Sequence, residues 1–245
     1  MPAPHDSSRL SVTQFAERFR GDMIPLSGAF SYFCASMPMP AEDLRDYLEE
    51  PISALPPALA EQLSKISILL VPYLSKSKPG ELVSMEKPPE DKLAWAAHVK
   101  LGGEIVLAFG LKDQDVAEYH YRFYNQLATI IADKSGYSLP EFLTLIRDEL
   151  QNGVHGEVDE DSWRAKQSLL RRPGKVRLEG KAFLEYARAA FIDTLTLYLH
   201  GICCDIDVDA GPRQIPSRFL RKRLVQMKKI FPPPTGFVVL PEDMK

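Results

Sequence analysis

The longest helical pattern of the chain runs from Leu178 to Ile202, and it constrains the fold more than any other segment. Its apolar residues cover most of the helix circumference, and they include Phe183, Ala187, Ala190, Phe191, Leu195, Leu197, Tyr198 and Leu199. A helix that is apolar on most of its sides is usually buried inside a protein. We therefore expect residues 178–202 to form the central helix of the core.

Shorter helical patterns fill much of the remaining chain. Apolar residues spaced three and four apart indicate further helices, at 11–20, 41–50, 57–70, 91–109, 115–135, 138–150, 161–170 and 217–230. The sequence therefore predicts a mostly α, multi-helix globular fold around residues 178–202. Any β structure is expected to be a minor element, at 81–85, 98–109 or 237–240.

The segment 98–109 has two interpretations, because Gly102 and Gly103 lie in its middle. The alanines that precede it, Ala94, Ala96 and Ala97, favour a helix. Two glycines between apolar runs are instead typical of the tight turn of a β-hairpin. The helix is the interpretation we favour, and the hairpin stays open.

Residues 75–90 resemble a linker, since they combine three prolines, a glycine and alternating charges. On this basis the chain divides into an N-terminal helical part, 1–74, and a main helical domain, 91–245, which contains the basic C-terminal part. A single compact unit is the alternative.

Several classes of protein are excluded by composition and motifs. Three cysteines in 245 residues are too few for a disulfide scaffold. The most apolar stretch, 189–204, is shorter than the roughly 20 residues that span a bilayer, and it contains Asp193 and His200. No phosphate-binding glycine loop and no GxSxG motif occurs, so we expect no cofactor. We predict a cytoplasmic protein without a membrane span.

Charge is distributed unevenly along the chain. Residues 1–162 carry a net charge of −11 and residues 163–245 a net charge of +8, which together give the net charge of −3. Such asymmetry indicates an electrostatic partner, or attraction between the two parts of the chain itself.

The predicted helix at 217–230 separates its charges from its apolar residues. At 100° per residue, five cations occupy about a third of the circumference, and they are Arg218, Arg221, Lys222, Lys228 and Lys229. Leu220, Leu224 and Met227 lie on the opposite side, where Arg223 is the one basic exception. We expect the five cations to face solvent and the three apolar residues to be buried.

A second basic stretch, 164–177, contains Arg171, Arg172, Lys175 and Arg177. If it lies beside the helix at 217–230, the two form a positive patch. Such a patch suits a polyanion, either a nucleic acid or an acidic protein surface, and an anionic membrane surface is a third alternative.

Two other groups of residues suggest catalysis. Asp205, Asp207 and Asp209 alternate with apolar residues, and carboxylates grouped in this way bind metal ions. His155, His200 and Cys203 are the candidate acid–base and nucleophilic residues. The same residues also suit an exposed acidic strand, a solvated loop and a buried helix end.

These observations favour a non-enzymatic binding or regulatory component of a larger assembly, with a protein partner or a nucleic acid on its basic C-terminal face. The alternative is a metal-dependent hydrolase or nuclease that uses the Asp205, Asp207 and Asp209 cluster.

Overall fold

The computed structural model describes residues 10–35, 39–78, 80–135, 139–171, 178–204 and 213–239. Helix makes up 52% of the structure and strand 18%. The strands form a five-stranded mixed sheet and a three-stranded sheet. The protein is therefore an α/β protein, and the prediction of a mostly α or all-α fold with a minor β element is wrong.

The chain divides into two compact units. The first consists of Met1–Ser53 and Ala60–Gln126, and the second of Ala54–Leu59 and Leu127–Lys245. The described part of the first unit contains eight strands: β1 (Ile24–Pro25), β2 (Phe30–Cys34), β3 (Ile66–Val71), β4 (Tyr73–Ser75), β5 (Leu82–Ser84), β6 (Leu93–Ala94), β7 (Ala96–Leu101) and β8 (Glu104–Gly110).

The larger sheet has the strand order β1-β2-β3-β8-β7. Its three central strands are parallel, and Ile66 of β3 lies between Phe30 of β2 and Ile105 of β8. The edge strands β1 and β7 are antiparallel to their neighbours. Every residue of β3 and β8 is buried. This burial explains their mostly apolar sequences, because a parallel strand is covered on both faces.

The smaller sheet is antiparallel and has the order β5-β4-β6. Leu74 of β4 lies between Val83 of β5 and Ala94 of β6, and all three side chains are buried.

Two helical segments of the first unit cover opposite faces of the larger sheet. Helix α1 (Val12–Arg18) begins with a capping box formed by Ser11 and Gln14. It belongs to one core cluster with residues of β3 and β8 such as Leu69 and Val106. On the other face, the ring of Phe123 lies 6.4 Å from that of Phe30 and 6.2 Å from that of Phe109. Phe123 belongs to helix α5 (Val116–Ser135).

Residues 41–53 form an almost continuous helical segment in the same unit. It consists of α2 (Ala41–Leu44), one π-helical turn and α3 (Glu50–Ser53), and a separate short helix α4 (Pro57–Ala60) follows. The ring centroids of Tyr47 and Tyr119 lie 5.1 Å apart, and the Tyr124 hydroxyl donates to the Pro51 carbonyl over 3.1 Å. These contacts join the segment to α5.

A row of buried, hydrogen-bonded polar side chains crosses the larger sheet on the face that α1 covers. The hydroxyls of Ser31 and Ser67 lie 3.0 Å apart, and Ser67 also donates to Glu104. Burial raises the pKa of Glu104. Hydrogen bonds from Ser67 and Lys65 and the nearby charges of Lys65 and Arg20 lower this pKa by more, so the pKa is below its usual value. The carboxylate is therefore held in its ionised form.

Residues 98–109 form the hairpin, and the favoured helix is wrong. Strands β7 and β8 pair antiparallel, with Val99 opposite Val106. Gly102 and Gly103 have φ angles of +56° and +85°, which suit glycine in a tight hairpin turn. The preference of the nearby alanines for a helix is outweighed by the burial of β8 in the larger sheet.

The helix predicted at 57–70 is also wrong beyond its first turn. Helix α4 ends at Ala60, and Ile66–Val71 is the central strand β3. Apolar residues four apart fit a helix, but the continuous run ISILLV suits a strand that is buried on both faces equally well. A strand occurs at 82–84, as one of the minor alternatives predicted, and residues 237–239 contain none.

The second unit is helical in the part that the structure describes. Its main helices are α6 (Pro140–Gln151), α7 (Glu160–Leu170), α8 (Lys181–Cys203) and α9 (Ser217–Ile230). The prediction of a long buried helix at 178–202 is confirmed by α8. Leu195 and Tyr198 are fully buried in it, and the ring of Phe191 lies 5.4 Å from the ring of Phe142 on α6.

Helix α8 also buries a carboxyl group, that of Asp193. This group accepts a hydrogen bond of 2.9 Å from the backbone N–H of Ser162, in the first turn of α7. Burial raises the pKa of Asp193 to about 6, and the charges of Asp159 and Asp161 raise it too. Asp193 is therefore costly to ionise in the folded protein.

Among the residues described, none of the helices is both long and apolar enough to cross a membrane.

Candidate functional site

Helix α9 carries most of the predicted binding residues. Arg218, Arg221, Lys222 and Lys229 are exposed, and Lys228 is half-buried. Leu220 and Met227 are buried on the opposite side, while Leu224 is half-buried. The predicted separation of charged and apolar sides is confirmed, apart from the intermediate exposure of Lys228 and Leu224.

The basic exception on the apolar side, Arg223, is completely buried. Its Nε donates to both carboxylate oxygens of Glu149 over 3.2 and 3.0 Å, and its Nη2 donates to Oε2 of Glu149 over 2.6 Å. Its Nη1 donates to Oε2 of Glu157 over 2.7 Å. One guanidinium therefore holds two buried carboxylates by charge-assisted hydrogen bonds.

Glu157 has two further buried partners. The Nζ of Lys166 donates to Glu157 Oε1 over 3.0 Å and to the carbonyl of Gly156 over 2.8 Å. The hydroxyl of Tyr186 also donates to Glu157. We call Glu149, Glu157, Lys166, Tyr186 and Arg223 the buried charge network. Its two cations and two carboxylates balance, as buried charges require.

The ionisation of the network follows from its contacts. Burial alone raises the pKa of Glu157, but the charge of Arg223 and its hydrogen bonds, together with Lys166, bring this pKa below its usual value. Burial lowers the pKa of Arg223, but the electrostatic interactions with Glu157 and Tyr186 and the hydrogen bonds to Glu157 and Glu149 together raise it above its usual value. Burial and the Glu157 charge both raise the pKa of Tyr186. Glu157 is therefore ionised, and the tyrosine remains a neutral donor.

The buried charge network fixes the orientation of α9 about its own axis. It links α9 to α6 through Glu149, to α7 through Lys166 and to α8 through Tyr186. With Arg223 held inward, the cations on the other side of α9 must face outward. Arg223 is visible as an exception in the sequence pattern, but its partners Glu149 and Glu157 lie 74 and 66 residues away and no local pattern indicates them.

A groove of about 420 Å³ lies between α6 and α9. The wall from α6 consists of Glu141, Thr144, Leu145 and Asp148. The wall from α9 consists of Arg221, Lys222, Val225, Gln226 and Lys229. Three of the predicted binding residues therefore line a concave surface, which we call the α6–α9 groove.

The two walls of the α6–α9 groove carry opposite charges. Glu141 and Asp148 are the exposed acids on the α6 side, and Arg221, Lys222 and Lys229 are the exposed cations on the α9 side. Leu145 and Val225 are half-buried in the middle of the walls. This arrangement suits a partner with both charged and apolar side chains.

The segment that leads into α9 is anchored by close backbone contacts. Glu157 and Gln214 form a parallel β-bridge, and the guanidinium of Arg213 lies 4.7 Å from the centroid of the Trp163 ring. Gly156 has a φ of +70°, and a Cβ atom there would collide with the carbonyl of Gln214. Glycine at this position is what allows the two segments to approach.

The other predicted binding residues outside α9 belong to the basic stretch 164–177, of which the structure describes residues 164–171. Arg171 is exposed directly after α7, and it does not line the groove. Arg172, Lys175 and Arg177 lie outside the described residues, so the predicted joining of the two basic stretches stays a prediction.

The candidate acid–base and nucleophilic residues lie on two elements. His155 is exposed in the loop before α7, whereas His200 and Cys203 are half-buried in the last turn of α8. The predicted metal ligands Asp205, Asp207 and Asp209 lie outside the described residues. Their metal binding stays a prediction.

Comparison with known proteins provides no further assignment for these residues. No protein-family model matches the chain, and no curated protein is significantly similar to it in sequence.

Proposed function

We propose that this protein is a binding component of an assembly and that the α9 side of the α6–α9 groove contacts an acidic surface of a protein. The observation that supports this most is the row of exposed cations, Arg221, Lys222 and Lys229, on one wall of a concave surface. Concave surfaces with a few charged groups around an apolar centre are typical of recognition sites.

The opposite wall favours a protein over a nucleic acid. Glu141 and Asp148 would lie close to any phosphate chain that follows the cations, and like charges repel. The net charge of −3 also adds no long-range attraction for a polyanion. A protein segment instead offers carboxylates, cations and apolar groups at separate positions.

Fluorescence anisotropy with three labelled probes tests the proposal: a Glu-rich peptide, a single-stranded RNA and a duplex DNA, each of about 20 units, in about 50 and 200 mM salt. We expect the peptide to bind most tightly, and its affinity to decrease at the higher salt concentration because the contacts are exposed ion pairs. Tighter binding of either nucleic acid would overturn the proposal.

A pair of matched variants locates the binding surface. Arg221→Glu with Lys222→Glu reverses two groove cations, while Arg164→Glu with Lys181→Glu reverses two exposed cations outside the groove. We expect the groove variant to bind the peptide about tenfold more weakly, since each exposed pair contributes up to about 1 kcal/mol. Equal weakening by both variants would show a general charge effect and contradict the proposal.

A further inference from the structure

Helices α6 and α9 run antiparallel along the groove. Glu149, near the end of α6, contacts Arg223 in the first half of α9. The groove is lined by residues that precede Glu149 on α6 and largely by residues that follow Arg223 on α9. If the two helices were parallel, the residues before Glu149 would lie beside the residues before Arg223. The groove residues of α6 instead lie mostly beside residues that follow Arg223, so α6 and α9 run in opposite directions.

The charges on the two walls have the same spacing. Glu141 and Asp148 are seven residues apart on α6, and Lys222 and Lys229 are seven residues apart on α9. At 1.5 Å per residue both pairs span roughly 10 Å. Leu145 and Val225 lie near the middle of the two rows. The groove therefore presents two antiparallel rows of equal length and opposite sign.

A surface of this kind is complementary to a rotated copy of itself. A two-fold axis in the plane of the groove, parallel to both helices, places α6 of a second copy over α9 of the first. Because the helices are antiparallel, this rotation brings Glu141 of the second copy to Lys229, and Asp148 of the second copy to Arg221 and Lys222. The same pairs form again with the copies exchanged, as in any isologous interface.

We propose that the α6–α9 groove is occupied by a second copy of this chain, whose α6 supplies the acidic surface that α9 contacts. This inference rests on the proposed function and names its partner. The four helices of the two copies then form a bundle, with Leu145 and Val225 at the centre and the ion pairs at the sides. Charged pairs that flank an apolar seam set partner choice in the same way in coiled coils.

The association is weak and sensitive to salt. Its apolar centre is small, and its ion pairs stay close to solvent, where salt screens them. We expect the chain to be monomeric in dilute solution and to dimerise at concentrations on the order of 10–100 μM, which is typical of small, transient interfaces.

Exchanging the charges of the two walls provides a decisive test. Variant A carries Glu141→Lys and Asp148→Lys, which makes both walls basic. Variant B carries Arg221→Glu, Lys222→Glu and Lys229→Glu, which makes both walls acidic. All five positions are exposed, so the variants are expected to fold, and circular dichroism verifies this.

Sedimentation velocity measures association of the wild type, of each variant alone and of an equimolar mixture of A and B. We expect each variant alone to remain monomeric because like charges face each other across the two-fold axis. The mixture restores every ion pair, and it is expected to dimerise at least as tightly as the wild type. The control variant with Arg164→Glu and Lys181→Glu is expected to dimerise like the wild type.

Two results would overturn this inference: a wild type that stays monomeric at about 200 μM in low salt, or a mixture of A and B that associates no better than either variant alone. The peptide experiment separates the two proposals. If the wild type stays monomeric but binds the Glu-rich peptide, self-association is disproved and the acidic partner is another protein. If A and B pair but no peptide binds, the groove is specific for the folded acidic wall of its own copy, and this result supports both proposals.

Discussion

Arg223 and Glu149 are 74 residues apart in the sequence, and three hydrogen bonds join their side chains in the interior of the second unit. This pair determines which side of α9 faces the core. The cations that line the α6–α9 groove are exposed because Arg223, which lies between Lys222 and Lys229 in the sequence, is held inward. The buried charge network and the groove are therefore two sides of the same helix.

Replacing Arg223 with methionine tests the network. The change preserves most of the side-chain volume but leaves the carboxylates of Glu149 and Glu157 buried without their main cation. We expect a loss of about 3–5 kcal/mol in the free energy of unfolding, measured by chemical denaturation.

The control is Arg221→Met, at an exposed position two residues earlier on the same helix. It is expected to change the free energy of unfolding by less than about 0.5 kcal/mol. A loss below about 1 kcal/mol for Arg223→Met would mean that the network does not hold α9 in place.

Replacing Asp193 with asparagine tests its raised pKa. The folded pKa of about 6 lies above the ordinary aspartate value of 3.8, so the folded state binds this proton more tightly than the unfolded state does. The stability that Asp193 contributes is therefore fully present below pH 3.8 and is lost as the pH rises through 6.

We expect the free energy of unfolding of Asp193→Asn, relative to the wild type, to rise by up to about 3 kcal/mol between pH 4 and pH 7.5. Urea denaturation across this pH range measures the difference. Asp91→Asn, at an exposed position of the first unit, is the control and is expected to show little pH dependence. A constant difference for Asp193→Asn would contradict the assigned pKa.

Two glycine substitutions test the close approach at the start of α9. Gly153 and Gly156 have φ angles of +62° and +70°, but only Gly156 faces the backbone of Gln214. We expect Gly153→Ala to cost about 1 kcal/mol for the left-handed conformation alone. Gly156→Ala is expected to cost at least about 2 kcal/mol more, because the backbone must also move. Equal costs in thermal or chemical unfolding would show that the two segments do not touch.

Truncating Leu195 tests the central helix of the second unit. Its side chain is fully buried in α8, so Leu195→Ala is expected to cost about 2–5 kcal/mol. Leu170→Ala is the matched control, because Leu170 is 49% exposed and its loss leaves no cavity. If chemical denaturation shows similar small losses for both, α8 is not the core helix.

The helices of the second unit and the end of α5 were predictable from the sequence for a physical reason. A helix with one buried side repeats its apolar residues every three or four positions, and Leu220, Leu224 and Met227 of α9 follow that rule. The same rule predicted the outward side of α9. The central helix was predictable from its length and its wide apolar surface.

The sheet was not predictable in this way. Strands β3 and β8 are buried on both faces, so their sequences have no alternation to distinguish them from a buried helix. Their parallel pairing also joins segments that are distant in the sequence, as the alignment of Ile66 with Ile105 shows. The alanines in and near β7 favour a helix, so this local preference predicted the wrong secondary structure there.

The sequence by itself determined where the helices of the second unit lie and which of their sides are charged, because these properties depend on residues within a few positions of each other. Only the tertiary structure decided that Arg223 is buried between Glu149 and Glu157, which are 74 and 66 residues away. It also decided that the acids of α6 lie beside the cations of α9. Such contacts depend on how distant segments pack, and no local pattern encodes them.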